Sequence, residues 1–336
     1  MTRTAEKTRY LRKKGLFRSC GISILLILSA CGSASRPITP TTPEHERSSL
    51  EISDHPVLPA VLVDHLGNKV RVESIERIVP LDGSVAEIVF ALGLGANIVA
   101  TDLSATWPPE AADLPQIGYQ RALSPEPIAA FSPTVLIGTD IAGPPQTLKD
   151  LRELGYPVVI VPNEPHSGGP SKKIRAVARA LGVEERGDLL ASDLDEQITA
   201  ATKNPIPELR PLVAAIYVRG EGTQLVLGRN SSINWVIRAA GGQSLADILE
   251  IDDYTPITAE TLLVANPDAI IIPAAGLESV GGIPGLLEIG GLAETTAGRN
   301  QSVYSYEDQL LLGNGPRTGL LLKSLTSELE KLAEGS

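Results

Sequence analysis

Short apolar runs alternate along this chain with segments whose apolar residues recur every three or four positions, which predicts strand and helix in turn. Val57–Val63 and Lys69–Val72 flank Asp64-His65-Leu66-Gly67 and predict a hairpin closed by a Gly turn. Ile78–Leu81 reads as a buried strand, followed by a helix over Val85–Leu92 with Ser84 as N-cap and Gly93 as its stop. Ile98-Val99-Ala100 predicts a further strand. Pro125–Phe131 predicts a short helix, Thr134–Gly138 a strand, Pro145–Leu154 a helix and Val158–Val161 a strand.

The second half repeats the plan. Val213–Val218 and Ala269–Ile272 read as strands, and Ser232–Ala240 and Thr258–Ala265 as helices. The stretches SPEPIAAFSPTVLIG (124–138) and TAETLLVANPDAIII (258–272) share one design: a capped short helix, a Pro-bearing turn and an apolar strand. Between the halves, Ile174, Val177, Ala178 and Leu181, then Leu189, Leu190, Leu194 and Ile198, keep helical spacing, with Gly182 and Gly187 as interruptions. The expected fold is α/β: two similar three-layer lobes with largely parallel sheets, joined by one long helix, with a ligand cleft between them. The expected bounds are 57–170 for the first lobe, 171–203 for the connecting helix and 204–336 for the second lobe. A helical connector predicts limited closure.

The first 30 residues depart from this pattern. They hold seven Lys/Arg and one Glu, then an apolar stretch from Gly21 to Ala30 that is too short to span a bilayer. This is the form of a secretory signal, and Leu28-Ser29-Ala30-Cys31 resembles a lipobox, which predicts lipid on Cys31. Residues 31–56, rich in Ser, Thr, Pro and Glu, predict a disordered tether. The protein is therefore expected outside the cytoplasm, anchored to the bacterial cell membrane.

Charge and composition narrow the partners. The net charge is -11 over 336 residues; beyond residue 30 it is 22 basic against 39 acidic, unsuited to nucleic acid. The mature body would hold no Cys beyond Cys31 and no Met, so neither thiolate nor thioether can ligate a metal there. There is no Walker A sequence, G-x-S-x-G elbow or His-Glu-x-x-His, and no enzyme is predicted. Gly93-Leu94-Gly95 follows a helix and reads as its stop. His166 lies in the loop Pro162–Pro170 and is either a surface residue or ligand-facing. In a strand, Tyr217 and Arg219 point to one face, as a site pair or as a half-buried aromatic with a snorkelling Arg. Trp235 follows a Gly-containing loop and either stacks on a flat ligand or packs in the core. Tyr119 and Tyr254 are further cleft candidates.

VPLDGSVAEIVFALGLGANIVATD (79–102), YVRG (217–220) and LLLGNGPRTG (310–319) resemble the hemin-binding lipoproteins of bacterial heme ABC importers (HmuT type). These belong to the two-lobed, helix-linked binding proteins that also serve cobalamin and ferric siderophores. The resemblance covers roughly 57–332. It implies a monomer that captures ferric heme as transported ligand and delivers it to a permease–ATPase pair. It implies Tyr217 as the axial iron ligand, with Arg219 beside it. It places Arg317 near the cleft, as a partner for heme propionates or in a salt bridge. Glu87 either matches an acidic residue that docks to the permease or is a solvated helical Glu; in lobe two, Arg238 stands where an acid is expected. Some relatives carry an axial His before a Gly-Pro, but here that loop is Gly138-Thr139-Asp140-Ile141-Ala142-Gly143-Pro144. Asp140 either contacts the ligand or caps the next helix, and His166 either substitutes for the missing His or leaves the iron to Tyr217 alone or with water. The alternatives are a siderophore or cobalamin binder and, in another class, a cell-surface interaction lipoprotein without a small ligand.

Overall fold

Strands β1 (Ala60–Val63) and β2 (Lys69–Val72) pair antiparallel, with Val70 and Val72 buried and Val61 and Val63 facing out. Asp64 holds their turn, accepting from the amides of Leu66 (3.0 Å) and Asn68 (2.7 Å), while Gly67 adopts φ 85°. The computed structural model describes residues 55–202 and 210–334. The leader, Cys31 and nearly all of the expected tether lie outside the described residues.

In the first half, β3 (Ile78–Pro80), β4 (Val135–Thr139) and β5 (Val158–Val161) form a parallel sheet in that order, buried on both faces. That burial explains why the strands read as unbroken apolar runs. Ile98-Val99-Ala100 is not a strand: it meets β3 through a single bridge from Ile98, and Thr101 then pairs with the segment at 115–117. The helix after β3 spans Gly83–Ala91, and its N-cap is Asp82, not Ser84. Asp82 Oδ1 accepts from the Val85 amide (3.1 Å) and the Ser84 hydroxyl (2.7 Å), and its Oδ2 from the Thr139 amide (2.8 Å). The carboxylate outcompetes the hydroxyl because it satisfies donors on both the helix and β4.

In the second half, β6 (Leu212–Arg219) is central. β10 (Ala269–Pro273) and then β11 (Val303–Tyr306) add in parallel on one side. On the other side β7 (Thr223–Val226) and then β9 (Thr255–Pro256) add antiparallel, and the short β8 (Gln243–Ser244) pairs with the start of β6. The sheets are thus largely parallel, with one antiparallel margin that the alternation of strand and helix did not reveal.

The helix Glu184–Ala201 leads from the first sheet to the second. Its 18 residues rise roughly 27 Å at about 1.5 Å each. Gly182 (φ 69°) separates it from the helix Gly169–Ala180. Gly187 does not interrupt it: a Cβ there would lie 2.2 Å from the Ala178 Cβ, so the missing side chain lets the two helices touch. Gly319, in the last helix Thr318–Glu334, likewise admits Gln197. One hydrophobic cluster runs through both halves, from Ile78 and Ile137 through Val177, Leu181, Leu194, Leu322 and Leu325 to Val213 and Ile271. Each such buried Leu or Ile contributes roughly 1.5–3 kcal/mol. Separate outer cores lie under Leu136 and Ile160 and under Ile216 and Ile272.

Candidate functional site

Tyr217 and Arg219 close β6, alternating with the buried Val218, so both side chains lie on one face. The Arg219 guanidinium sits 4.4 Å above the Tyr217 ring, and the Tyr254 ring lies 6.4 Å from it. Arg219 is held by the Val218 carbonyl (2.8 Å) and by an ion pair with Asp308. From the first lobe, the loop Gly118–Arg121 brings Tyr119 and Arg121 within electrostatic reach of both Tyr217 and Tyr254. Tyr119 is 43% exposed. Each lobe thus supplies one Tyr-x-Arg pair, 119/121 and 217/219. Sequence reasoning missed Arg121, although its repeat of the Tyr-x-Arg spacing was a signal.

Burial pushes the Tyr217 phenol above its ordinary range, and the Arg219 cation pulls it down without outweighing burial. Arg219 alone therefore does not make the phenolate.

Four expected contacts fall elsewhere. Trp235 is buried among the inter-lobe core residues, its indole N–H donating to Asn314 Oδ1 (3.2 Å), and so does not face a ligand. Glu87 is 5% exposed and cannot present its carboxylate to a partner. It accepts from Arg317 Nε (2.8 Å) and Nη2 (3.1 Å) and from Gln309 Nε2 (2.8 Å). Arg317 is also bonded to Glu307 (3.1 Å) and stacks 4.6 Å over Trp107, so the salt-bridge alternative holds and propionate pairing does not. His166 is tied into its own loop: Nδ1 accepts from the Gly168 amide (3.2 Å) and Nε2 meets Glu164 (2.8 Å), so both ring nitrogens are engaged locally. Asp140 lies exposed just past β4, its charge acting on Lys173.

Two buried charges support the cleft walls. Lys173, fully buried, donates to Ser84 Oγ (3.1 Å) and, from the other lobe, to the Gly313 carbonyl (2.8 Å). Burial draws its pKa down to about 8, against the pull of Asp82, Asp140 and Glu87. Asp102, also fully buried, accepts from the Ser104 amide (3.0 Å) and hydroxyl (2.9 Å) and from the backbone of Gln120, between the two cleft residues of lobe one. Burial raises its pKa to about 7. The folded state therefore holds this proton more tightly than the unfolded chain, so stability from Asp102 is present at low pH and is lost as pH rises from about 4 to about 7. Asp102→Asn should flatten that slope. Its stability relative to wild type should gain up to a few kcal/mol between pH 4.5 and pH 7.5, at about 1.4 kcal/mol per pKa unit. Parallel wild-type and mutant slopes in denaturant titrations would show that Asp102 is ionised at an ordinary pKa.

Among the described residues no three His, Cys, Asp or Glu side chains converge on a metal site, and no helix is long and apolar enough to cross a membrane. The periplasmic heme-binding protein RhuT of Roseiflexus sp. RS-1, in apo form, superposes at TM-score 0.74 with 44% identity, over 77% of this chain and 99% of that one. The heme-binding protein HmuT superposes at TM-score 0.78 with 33% identity, over 83% and 93%. Solved variants of HmuT replace a tyrosine, an arginine two positions beyond it, or a histidine. The vitamin B12-binding protein of Vibrio cholerae is 24% identical over 248 residues, 72% of this chain and 85% of its own length. A periplasmic-binding-protein family model matches residues 78–310, both sheets and the helix between them, and the chain therefore belongs to the periplasmic binding protein family.

Proposed function

We propose that this protein is the lipid-anchored, extracytoplasmic substrate-binding component of an ABC importer, and that it captures ferric heme between its lobes for delivery to a permease and its ATPase. The observation that carries the heme reading is the Arg219 guanidinium 4.4 Å over the Tyr217 ring with the Tyr254 ring beside it, and a second Tyr-x-Arg unit, 119/121, within electrostatic reach. Ferric iron is a hard acid and takes a phenolate oxygen, a known axial ligand of heme. Tyr217, with Arg219 against its ring, has the spacing of the tyrosine and arginine replaced in HmuT. Tyr119 offers the opposite lobe's phenol where the loop at 138–144 has no His. Arg121, exposed at the cleft, suits a heme propionate, since a guanidinium binds carboxylate in a bidentate fork. The aromatic cleft suits a flat ligand. Function is binding and release, with no covalent turnover.

The anchor rests on the lipobox at Cys31, and the lobes run through 170 and from 204, with the helical connector between. The permease is met by residues other than Glu87. The vitamin B12-binding relative favours cobalamin as the second reading.

The test is a titration of residues 32–336 with hemin, a cobalamin and a ferric siderophore. Saturable uptake of hemin at one or more sites, unaffected by excess cobalamin or siderophore, is expected. Saturable binding of cobalamin alone would replace the heme reading with the second one. Binding of none would turn attention to a cell-surface interaction role.

A further inference from the structure

Glu307, Asp308 and Gln309 are consecutive, yet their side chains serve different parts of the molecule. Gln309 reaches into the first lobe. Its Oε1 accepts from the amides of Thr106 (2.8 Å) and Trp107 (3.0 Å), and its Nε2 donates to the Gly83 carbonyl (2.9 Å) and Glu87 (2.8 Å). Glu307 accepts from the Thr106 hydroxyl (2.6 Å) and from Arg317 (3.1 Å). Asp308, between them, turns the other way. One oxygen pairs with Arg219 and the other accepts from the Ala275 amide (3.1 Å). Gly276 leaves room for this arrangement, since a Cβ there would lie 2.7 Å from the Val218 carbonyl and 3.0 Å from Arg219 Nη1. All three residues belong to one short helical turn and its cap, Asp308–Leu312, so none can shift without moving its neighbours.

We infer that Asp308 is a positioning residue for the ligand site, and that Glu307 and Gln309 make its position depend on the contact between the lobes. Asp308 fixes the guanidinium that lies on the Tyr217 ring, and its two neighbours are among the points at which the second lobe grips the first. Separation of the lobes at Thr106 and Trp107 pulls on the same turn that holds Arg219 in place, so opening the clasp and loosening the ligand are one event. A permease that pries the lobes apart would release the ligand without touching it. The inference rests on the reading of Tyr217 as a ligand-binding residue.

The experiment compares wild type, Asp308→Asn, Gln309→Ala, Gln309→Met and the double variant Asp308→Asn/Gln309→Ala. Hemin release is followed by transfer to an excess of apomyoglobin, and the phenolate-to-iron band is recorded for each. In parallel, spin labels at Lys149→Cys and Glu260→Cys, both exposed and on helices of different lobes, report the inter-lobe distance without ligand. Each single variant should speed hemin release roughly tenfold, the lower end for an outer-shell partner of a metal ligand. Each should shift the band, although Gln309 does not touch Tyr217. The double variant should release no faster than the quicker single, and Gln309→Ala should broaden the spin–spin distance. The inference is overturned if Asp308→Asn keeps wild-type release and spectrum. It is also overturned if Gln309 variants widen the distance but release hemin at the wild-type rate, or if the two effects multiply independently. Failure of wild type to take up hemin would sink the heme reading and the coupling together, and that arm is read before any variant.

Discussion

Hemin bound to Tyr217→Phe should lack the phenolate-to-iron charge-transfer band and should dissociate far more readily than from wild type. Outer-shell partners of a metal ligand are worth about 10–100-fold in affinity, so loss of the ligand itself should cost roughly 100-fold or more. Tyr119→Phe, assayed alongside, reports the phenol of the other lobe, and the double variant should bind hemin only as a weak apolar adduct. Because burial keeps the Tyr217 phenol protonated in the empty protein, coordination has to release a proton. Hemin affinity should then fall about tenfold for each pH unit of acidification across the neutral range, a slope that Tyr217→Phe abolishes. An unchanged band in Tyr217→Phe together with its loss in Tyr119→Phe would move the ligand to the first lobe. A band that survives in the double variant would remove phenolate ligation altogether.

The second large effect concerns Glu87. Breaking a buried ion pair by removing one partner costs about 3–5 kcal/mol, because the remaining charge is stranded. Glu87→Ala leaves Arg317, only 17% exposed in its side chain, with Glu307 as its remaining anion, so about 3 kcal/mol is expected. At roughly 2–4 °C per kcal/mol, the melting temperature should drop by about 6–12 °C. The double variant Glu87→Met/Arg317→Leu should recover most of that loss, since an apolar pair of similar volume avoids the desolvation of both charges. A Glu87→Ala protein that melts within a degree of wild type would mean that this carboxylate is solvated, and would return it to the candidates for permease docking.

Much of the fold could be read from periodicity. Strands β3 to β5 and β10 are buried on both faces, so they read largely as apolar runs, and the helices between them carry apolar residues at helical spacing. Short elements with few apolar residues, such as β9 and β11, gave no such signal. Glycine was ambiguous: Gly182 ends a helix through its positive φ, but Gly187 sits within one because a neighbouring helix needs its space. Pattern also could not rank caps, since Ser84 and Asp82 both suit an N-terminus and only the nearness of Thr139 decides between them.

The sequence by itself determined the α/β class, the repeated lobe plan, the helical connector and the shared strand face of Tyr217 and Arg219, because these depend on spacing along one strand or helix. Tertiary structure decided which charged residues meet. Glu87 and Arg317 are 230 positions apart, and Gln309 and Thr106 are 203 apart, so nothing local announces their pairing. A lone Arg or Glu in a sequence has no stated partner. Burial then sets its role, since a charge removed from water must be neutralised by whatever the fold brings to it. That requirement turned Arg317 and Glu87 into part of the inter-lobe clasp and left Arg121 exposed at the cleft.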